Sequence, residues 1–332
     1  MFQLVRGETA GFILENDRRG VKNSYMVILL YGALLLSQLG TGAKQYAMKK
    51  CGAAAPGAFN SICINLIRTA ICLVVSLVIW AVMDGHTTNS QGLAIAVAAG
   101  VGTAFSLFTW ILSAQRISLT LLEGVCTIGS LILPLVVAPY LYGGESVSPI
   151  QWLGTAFVML SLLLFSEKRG RGSVKASMGG SIVILTVCCL GTMVAAIAKK
   201  MYTFHITAQG LGSVELFTLL SFLSALPVFA ILLPIYYRVE CRRAAGAGGE
   251  TVSFPFRRVR WYVLVAAVAL YVTELFATYA SDLPSAVYYP ATKALNILGC
   301  FVLDSIVFKE KITARKAVGL VLLLVAVILI NL

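Results

Sequence analysis

Six ionisable side chains occur inside long apolar stretches of this sequence. They are three cations and three acids: Lys44, Arg68, Lys293, Glu123, Glu274 and Asp304. A charge in the interior of a bilayer costs roughly 2.5–3.5 kcal/mol on insertion scales, so such residues rarely face lipid and usually mark a pathway or an ion pair. If the apolar stretches cross a membrane, these six residues are the candidates for its internal chemistry.

Helical spacing places the charges on faces with polar neighbours, because residues three and four apart are adjacent on a helix surface. The predicted faces are Tyr289, Lys293, Asn296, Cys300 and Asp304; Glu123, Thr127, Ser130 and Pro134; Tyr271, Glu274 and Thr278; and Asn65, Arg68 and Cys72. The predicted substrate-binding residues are Lys293, Glu274, Glu123, Arg68, Tyr289, Asn296, Tyr271, Trp110 and Asn65.

Each predicted residue has an expected role and an alternative. We expect Lys293 and Arg68 to contact a carboxylate or phosphate, and Glu274 or Glu123 to contact an amine or to carry a coupling proton. An equally weighted alternative is that either acid pairs with Lys293 or Arg68 and holds two helices together. Lys44 and Asp304 are predicted to be structural, because they lie near helix ends, where a long side chain can reach the interface.

The composition is that of an integral membrane protein. Apolar residues make up 59% of the 332 residues and charged residues 12%, whereas soluble domains carry about 25% charged residues. The apolar runs are about 20 residues long, which suffices to cross a bilayer as helices. They lack the alternation of apolar and polar residues that an outer-membrane barrel strand requires.

The formal charge of +12 does not indicate a nucleic-acid partner. The cations cluster in short segments between apolar runs, which is the pattern of loops that face anionic lipid. The eight cysteines include no Cys-x-x-Cys pair, and we predict no disulfide framework, metal site or cofactor. Because neither a serine–histidine–acid arrangement nor a phosphate-binding glycine loop is present, an enzyme is not predicted.

Ten spans are predicted, at roughly 25–48, 57–83, 91–115, 119–142, 150–166, 179–201, 213–237, 260–280, 285–308 and 313–331. A polar tail covers residues 1–23. Residues 24–168 and 179–332 form two halves of five spans, joined by a basic linker at 169–178. The charged, glycine-rich segment from Arg238 to Arg260 is predicted to be a flexible loop.

The two halves repeat one pattern. Shifting the numbering by 165 places Glu145 on Glu310 and Gly154 on Gly319, and a shift of 155 places Lys44 on Lys199. With five helices in each half, the second copy must enter the membrane upside down, which predicts inverted-topology repeats.

These residues resemble those of a known family, the drug/metabolite transporter superfamily, in its ten-helix form built of two EamA-type repeats. The resemblance rests on the Glu145 and Glu310 turns, on Gly154 and Gly319, on Ala43-Lys44, and on Asn65-Leu66-Ile67-Arg68-Thr69-Ala70. It implies a central cavity lined by helices one to four and six to nine, with helices five and ten outside. It also implies a bacterial cytoplasmic membrane location with both termini in the cytosol. The overall count of loop cations predicts instead that both termini lie outside the cytosol. The count around the first helix alone places the N-terminus in the cytosol, in agreement with the resemblance. The orientation is therefore left open.

We therefore predict a secondary active transporter that moves a small polar organic metabolite by alternating access. The expected substrate is amino-acid-like, anionic or zwitterionic, and coupling to protons is an option. The expected partners are this substrate and membrane lipids, with a homodimer as an open alternative. The alternative functions are a proton-coupled efflux pump for cationic drugs and a membrane scaffold or lipid-binding protein without transport.

Overall fold

A computed structural model describes residues 20–83, 87–114, 122, 126, 130–131, 133–141, 147–165, 178–246, 253–307 and 313–330. Within these ranges the chain is helical, with no β-strand. The α-helices are α1 (Gly20–Ala54), α2 (Ala58–Val82), α3 (Ser90–Ala114), α4 (Leu133–Leu141), α5 (Pro149–Phe165), α6 (Met178–Tyr202), α7 (Val214–Gly246), α8 (Phe256–Ala280), α9 (Ser285–Val302) and α10 (Ala314–Ile330). Two π-helical turns, Thr203–Thr207 and Leu303–Val307, extend α6 and α9.

Seven of the described helices are long and apolar enough to cross a membrane, namely α1, α2, α3, α6, α7, α8 and α9. Large apolar side chains face outward on them, such as Leu39 on α1 and Ile231 on α7, which are 72% and 64% exposed. A helix satisfies its own backbone hydrogen bonds, so this surface suits lipid. The prediction of an all-helical, multi-pass membrane protein is confirmed for the described residues.

The principal helix contacts join the first half of the chain to the second. α1 packs mainly against α8, α3 against α6, α2 against α7, and α5 against α10. α3 also packs against α7 about as extensively as α2 does, and smaller contacts join α2 to α8 and α1 to α9. A space enclosed by these helices is therefore walled by both halves.

Small residues let these helices approach closely. A Cβ atom built on Gly191 of α6 would lie 2.6 Å from the carbonyl oxygen of Gly102 on α3. One built on Gly40 of α1 would lie 3.0 Å from the carbonyl oxygen of Ala269 on α8. Such backbone-to-backbone packing through small residues is typical of helices in lipid, where dispersion contacts replace the hydrophobic effect.

Several helices are longer than predicted. α7 continues to Gly246 and α8 begins at Phe256, so the predicted loop is wrong for residues 238–246 and 256–260. α1 runs from Gly20 to Ala54, which places Lys44 well inside the helix. Residues 1–19 of the predicted tail, residues 169–177 of the predicted linker and the turns with Glu145 and Glu310 lie outside the described residues.

Candidate functional site

A cavity of about 190 Å³ lies between the two halves of the chain. Side chains from α1, α2, α3, α6, α8 and α9 line it, together with Cys126 and Ser130 of the predicted fourth span. α7 contributes none of the described lining residues. It lines a smaller neighbouring pocket instead, with Lys199 and Glu274 facing both spaces. α5 and α10, which pack against each other, contribute to neither described wall.

The structure brings most of the predicted site residues together in this cavity. The predicted residues in its wall are Arg68, Trp110, Glu274, Tyr289, Lys293 and Asn296. They come from four different helices, α2, α3, α8 and α9, so their convergence is a property of the fold. Their role in binding stays a prediction.

Asn65 and Tyr271 do not line the described cavity wall. Asn65 is buried beside the cavity wall, where its amide accepts a hydrogen bond from Nη2 of Arg68 and donates one to the carbonyl oxygen of Leu107 at 3.3 Å. Asn65 therefore positions Arg68. Tyr271 faces an apolar cluster with Cys72 and Phe222 and is not in the cavity wall. Glu123 lies outside the described residues.

Arg68 is the most deeply buried charge in the described wall, with 1% of its surface exposed. Its guanidinium bonds to Asn65, which is neutral, and its Nε has no hydrogen-bond acceptor. A guanidinium offers five N–H donors and is always protonated in proteins. The side chain therefore brings a positive charge and spare donors into the cavity.

Glu274 pairs with Lys199, at 2.8 Å from Nζ to Oε2. The prediction that its partner is Lys293 or Arg68 was wrong. The predicted span ends at residue 201, just beyond Lys199, but the π-helical turn Thr203–Thr207 continues the helix. The lysine lies in the cavity wall with 12% of its side chain exposed. The shift of 155 that places Lys44 on Lys199 was the sequence signal for this residue, since Lys44 also lines the cavity. Lys44 was predicted to be structural and is corrected to a wall residue.

The charges of the described wall do not balance. Its cations are Lys44, Arg68, Lys199 and Lys293, and its acid is Glu274. Lys293, half-buried on α9, has no ion pair or hydrogen bond within the described part of the chain. Because Glu274 already pairs with Lys199, the described wall carries an excess of three formal positive charges.

Five hydroxyl groups of the wall share one geometry, which Ser37, Thr103 and Ser106 of the same wall do not have. Each donates its proton to a carbonyl oxygen four residues earlier in its own helix, at distances from 2.6 to 3.1 Å; these residues are Thr41, Ser130, Thr192, Thr273 and Thr292. A hydroxyl whose proton is bonded back to the helix offers only its lone pairs to a ligand. This part of the wall therefore accepts hydrogen bonds.

Two further contacts fix the helices around the cavity. Gln45 of α1 donates to Oδ1 of Asn296 on α9 at 3.0 Å, and the thiol of Cys300 donates to Oε1 of Gln45 at 3.1 Å. Lys200 of α6, which is 2% exposed, donates to the carbonyl oxygens of Ser281 and Leu283 at 3.0 and 2.6 Å. A cation suits this position, because a helix C-terminus carries partial negative charge.

A thiol pair also joins the halves. The Sγ atoms of Cys126, in the fourth span, and Cys188, on α6, lie 3.3 Å apart, and both residues are buried. Cys126 also lines the cavity. A single bond between these sulfurs would connect the two sides of the wall.

These features define a multi-pass helical membrane protein with a charged internal cavity. No protein-family model matches the chain, and no curated protein matches it. A solved crystal structure, described only as that of a protein, is similar in fold, with a TM-score of 0.61 over 91% of this chain and 98% of the other. At 12% sequence identity the likeness shows the fold alone.

Proposed function

We propose that this protein is a secondary active transporter of a small polar organic metabolite, anionic or zwitterionic, and that it works by alternating access. One observation carries the proposal: a cavity walled by both halves of a membrane protein contains four cations, an acid and hydroxyl groups. Ionisable groups inside membrane-spanning segments usually mark a substrate or ion pathway. In many transporter folds the substrate site lies at the interface of two repeats.

The packing of the helices supports two inverted units of five helices each. Exchanging α1–α5 with α6–α10 turns the α1–α8 contact into the α6–α3 contact and leaves the α2–α7 and α5–α10 contacts unchanged. A pseudo-twofold relation between the halves would produce this pattern. Together with the resemblance described above, it supports membership of the drug/metabolite transporter superfamily in its ten-helix EamA-type form. We propose a bacterial cytoplasmic membrane location on the same basis.

The charge and size of the cavity favour a metabolite over a cationic drug. A wall with an excess of positive charge repels cations. Its volume of about 190 Å³ is below the range of about 300–1,000 Å³ that is usual for pockets holding drug-sized ligands. A scaffold protein would have no use for Lys293, a cation without an ion pair in the described wall.

The proposal is tested in two stages on the full-length protein. Purified protein is first screened by thermal shift against a metabolite library, because a ligand that binds only the folded state raises the melting temperature. The compounds that raise it are then tested for flux into proteoliposomes. We expect at least one polar metabolite to bind and to cross, and Lys293→Gln to reduce its flux.

Two results would contradict the proposal. A protein that binds no metabolite and supports no flux is better explained as a scaffold. A protein that exports cationic drugs in exchange for protons, and that keeps full activity in the Lys293→Gln variant, is an efflux pump. Lys50→Gln provides a matched control, because it makes the same substitution at a lysine of α1 that does not line the described cavity.

A further inference from the structure

We infer that the cavity selects a small hydroxylated organic anion, with carboxylate or phosphate as its charged group, over an amino acid of the same size. This inference rests on the proposed transport function and narrows its substrate class. Three features of the wall lead to it: a buried guanidinium with a free donor, an acid that is already paired, and five hydroxyls whose protons are bonded to their own helices.

The negative charge of the substrate follows from Arg68. Its side chain is 1% exposed, it bonds to the neutral amide of Asn65, and its Nε has no acceptor. Glu274 acts electrostatically on Arg68, but it also acts on Lys44 and is hydrogen-bonded to Lys199. One acid among these three cations leaves positive charge, which is unfavourable when it is buried. A carboxylate or phosphate in the cavity would supply both the charge and the acceptor, since guanidinium groups bind both anions through paired hydrogen bonds. Lys293, across the same cavity on α9, would add a second positive charge.

The absence of an ammonium group on the substrate follows from Glu274. An amino acid would need an acid for its amine, and Glu274 is the acid of the described wall. Its Oε2 lies 2.8 Å from Nζ of Lys199. A substrate amine would therefore have to displace Lys199 from the pair, and it would add a positive charge to a wall that already has an excess. A substrate without an amine avoids both costs.

We expect hydroxyl groups on the substrate because one serine and four threonines of the wall donate their own protons to backbone carbonyl groups. Thr41, Ser130, Thr192, Thr273 and Thr292 direct their protons to their own helices. Their remaining lone pairs need donors. A neutral donor on the substrate, such as a hydroxyl, satisfies them without adding positive charge. Succinate-like anions, which carry no donor, would leave these lone pairs unmatched.

The experiment compares four small anions on purified full-length protein, by thermal shift and by isothermal titration calorimetry. Malate has two carboxylates and a hydroxyl, succinate lacks the hydroxyl, and aspartate has an amine in its place. Glycerol 3-phosphate replaces carboxylate with phosphate and keeps two hydroxyls. We expect malate or glycerol 3-phosphate to bind most tightly, and the stronger of the two identifies the charged group. Succinate should bind about threefold to tenfold more weakly than malate, the loss expected for one hydrogen bond, and aspartate more weakly still.

Variants assign these differences to residues. Arg68→Gln should abolish binding of all the anions, and Arg68→Lys should retain part of it, because the charge is kept while the fork of donors is lost. The five hydroxyl residues are each replaced, threonine by valine and serine by alanine. In at least one of these variants the preference for malate over succinate should disappear. Thr155→Val is the matched control: Thr155 is back-bonded to Gln151 in the same way, at 2.9 Å, but lies on α5 outside the cavity. Each variant is first checked for a single peak in size-exclusion chromatography.

The outcomes separate this inference from the proposed function. If aspartate binds as tightly as malate, or if no hydroxyl variant changes the malate preference, the substrate class is wrong while transport stands. The same holds if the transported metabolite found by library screening is a zwitterion or lacks hydroxyls. If no compound binds and no flux is measured, the proposed function itself fails.

Discussion

The two sides of the cavity handle the same kind of residue in opposite ways. α1 and α6 each place a lysine in the wall, Lys44 and Lys199, at positions that a shift of 155 aligns. Beside α6, Glu274 of α8 neutralises Lys199 at 2.8 Å. Beside α1, Arg68 of α2 adds a further cation whose hydrogen-bonding partner is a neutral amide. The carboxylate of Glu274 is hydrogen-bonded in the second half but also acts electrostatically on Lys44 and Arg68 of the first. One acid therefore serves cations of both halves, and an anionic ligand can balance the remaining positive charge.

The residues that directly follow the two lysines also differ in charge: Gln45 is neutral and Lys200 is a cation. Gln45 joins α1 to α9 through the neutral amide of Asn296. Lys200 joins α6 to the end of α8 through two carbonyl oxygens. A sequence alignment of two halves therefore predicts where a side chain lies but not how its charge is balanced, because the balancing residue comes from another helix. Four changes can break or sharpen this comparison.

The largest expected effect is a loss of transport when a disulfide bond links α6 to the fourth span. Copper phenanthroline with oxygen should oxidise the thiols of Cys126 and Cys188, whose sulfurs lie 3.3 Å apart. Two thiols lose two protons and two electrons to the oxidant, and one S–S bond forms. If the halves separate during the cycle, the linked protein should lose nearly all flux in proteoliposomes and recover it after dithiothreitol.

Two controls accompany the cross-linking. Cys188→Ser should transport normally and resist the oxidant. Cys300→Ser changes a thiol on α9 that is bonded to Gln45 of α1. This variant keeps Cys126 and Cys188, so its transport should still be inhibited by the oxidant. Full flux in protein shown by mass spectrometry to contain the link would mean that α6 and the fourth span move together.

Breaking the Lys199–Glu274 pair should have the largest effect on stability. Glu274→Gln leaves a buried cation without its acid, and loss of one partner of a buried pair typically costs about 3–5 kcal/mol; with 25% of the Glu274 side chain exposed, we expect about 3 kcal/mol. Adding Lys199→Met should recover much of this loss. Thermal melting in detergent measures both, and a double variant no more stable than Glu274→Gln would argue against the pair as the cause.

Removing the cation at the end of α8 should have a smaller effect. Lys200→Met leaves two carbonyl oxygens without their charged donor, and hydrogen bonds to charged groups contribute about 1.5–3 kcal/mol. Gln45→Leu, the aligned change in α1, removes neutral hydrogen bonds and should cost about 1 kcal/mol. The order of the two melting temperatures is the measurement. Equal losses would show that charge adds nothing to the contact of Lys200.

The smallest effect on stability is expected at Arg68, although this residue is the most buried of the charges. Arg68→Met removes a cation whose hydrogen-bond partner is a neutral amide and which shares Glu274 with two lysines. The free energy of unfolding should therefore change by less than about 1 kcal/mol or rise. Anion binding should be lost in the same variant. A loss of stability comparable with that of Glu274→Gln would indicate that Arg68 already has a counter-charge in the folded protein.

Much of the candidate site could be predicted because charge stands out in an apolar sequence. Arg68, Glu274 and Lys293 interrupt long apolar runs, and the cost of such interruptions makes them informative. Lys199 was missed because the end of an apolar run is a poor guide to the end of a helix. The π-helical turn continues α6 beyond it, and α7 likewise continues to Gly246 through charged residues.

Helical spacing alone was less reliable for choosing the face of a helix. Tyr271 lies three residues from Glu274, which predicts a shared face, yet its ring packs in an apolar cluster with Leu270 and Ala267. Residues three apart differ in direction by about 60°, since a turn has 3.6 residues. That difference is enough to turn one side chain into the cavity and the other into the packing between α8 and α2.

The buried guanidinium also bears on how the proposed carrier would return. A conformational change that passes through a closed intermediate must enclose Arg68, and an empty closed cavity would leave it without water and with Glu274 shared among three cations. The intermediate should therefore form readily with an anion inside and slowly without one. On this basis uptake of labelled anion should be fast when vesicles contain unlabelled anion and slow when they are empty, which is the kinetic signature of an exchanger.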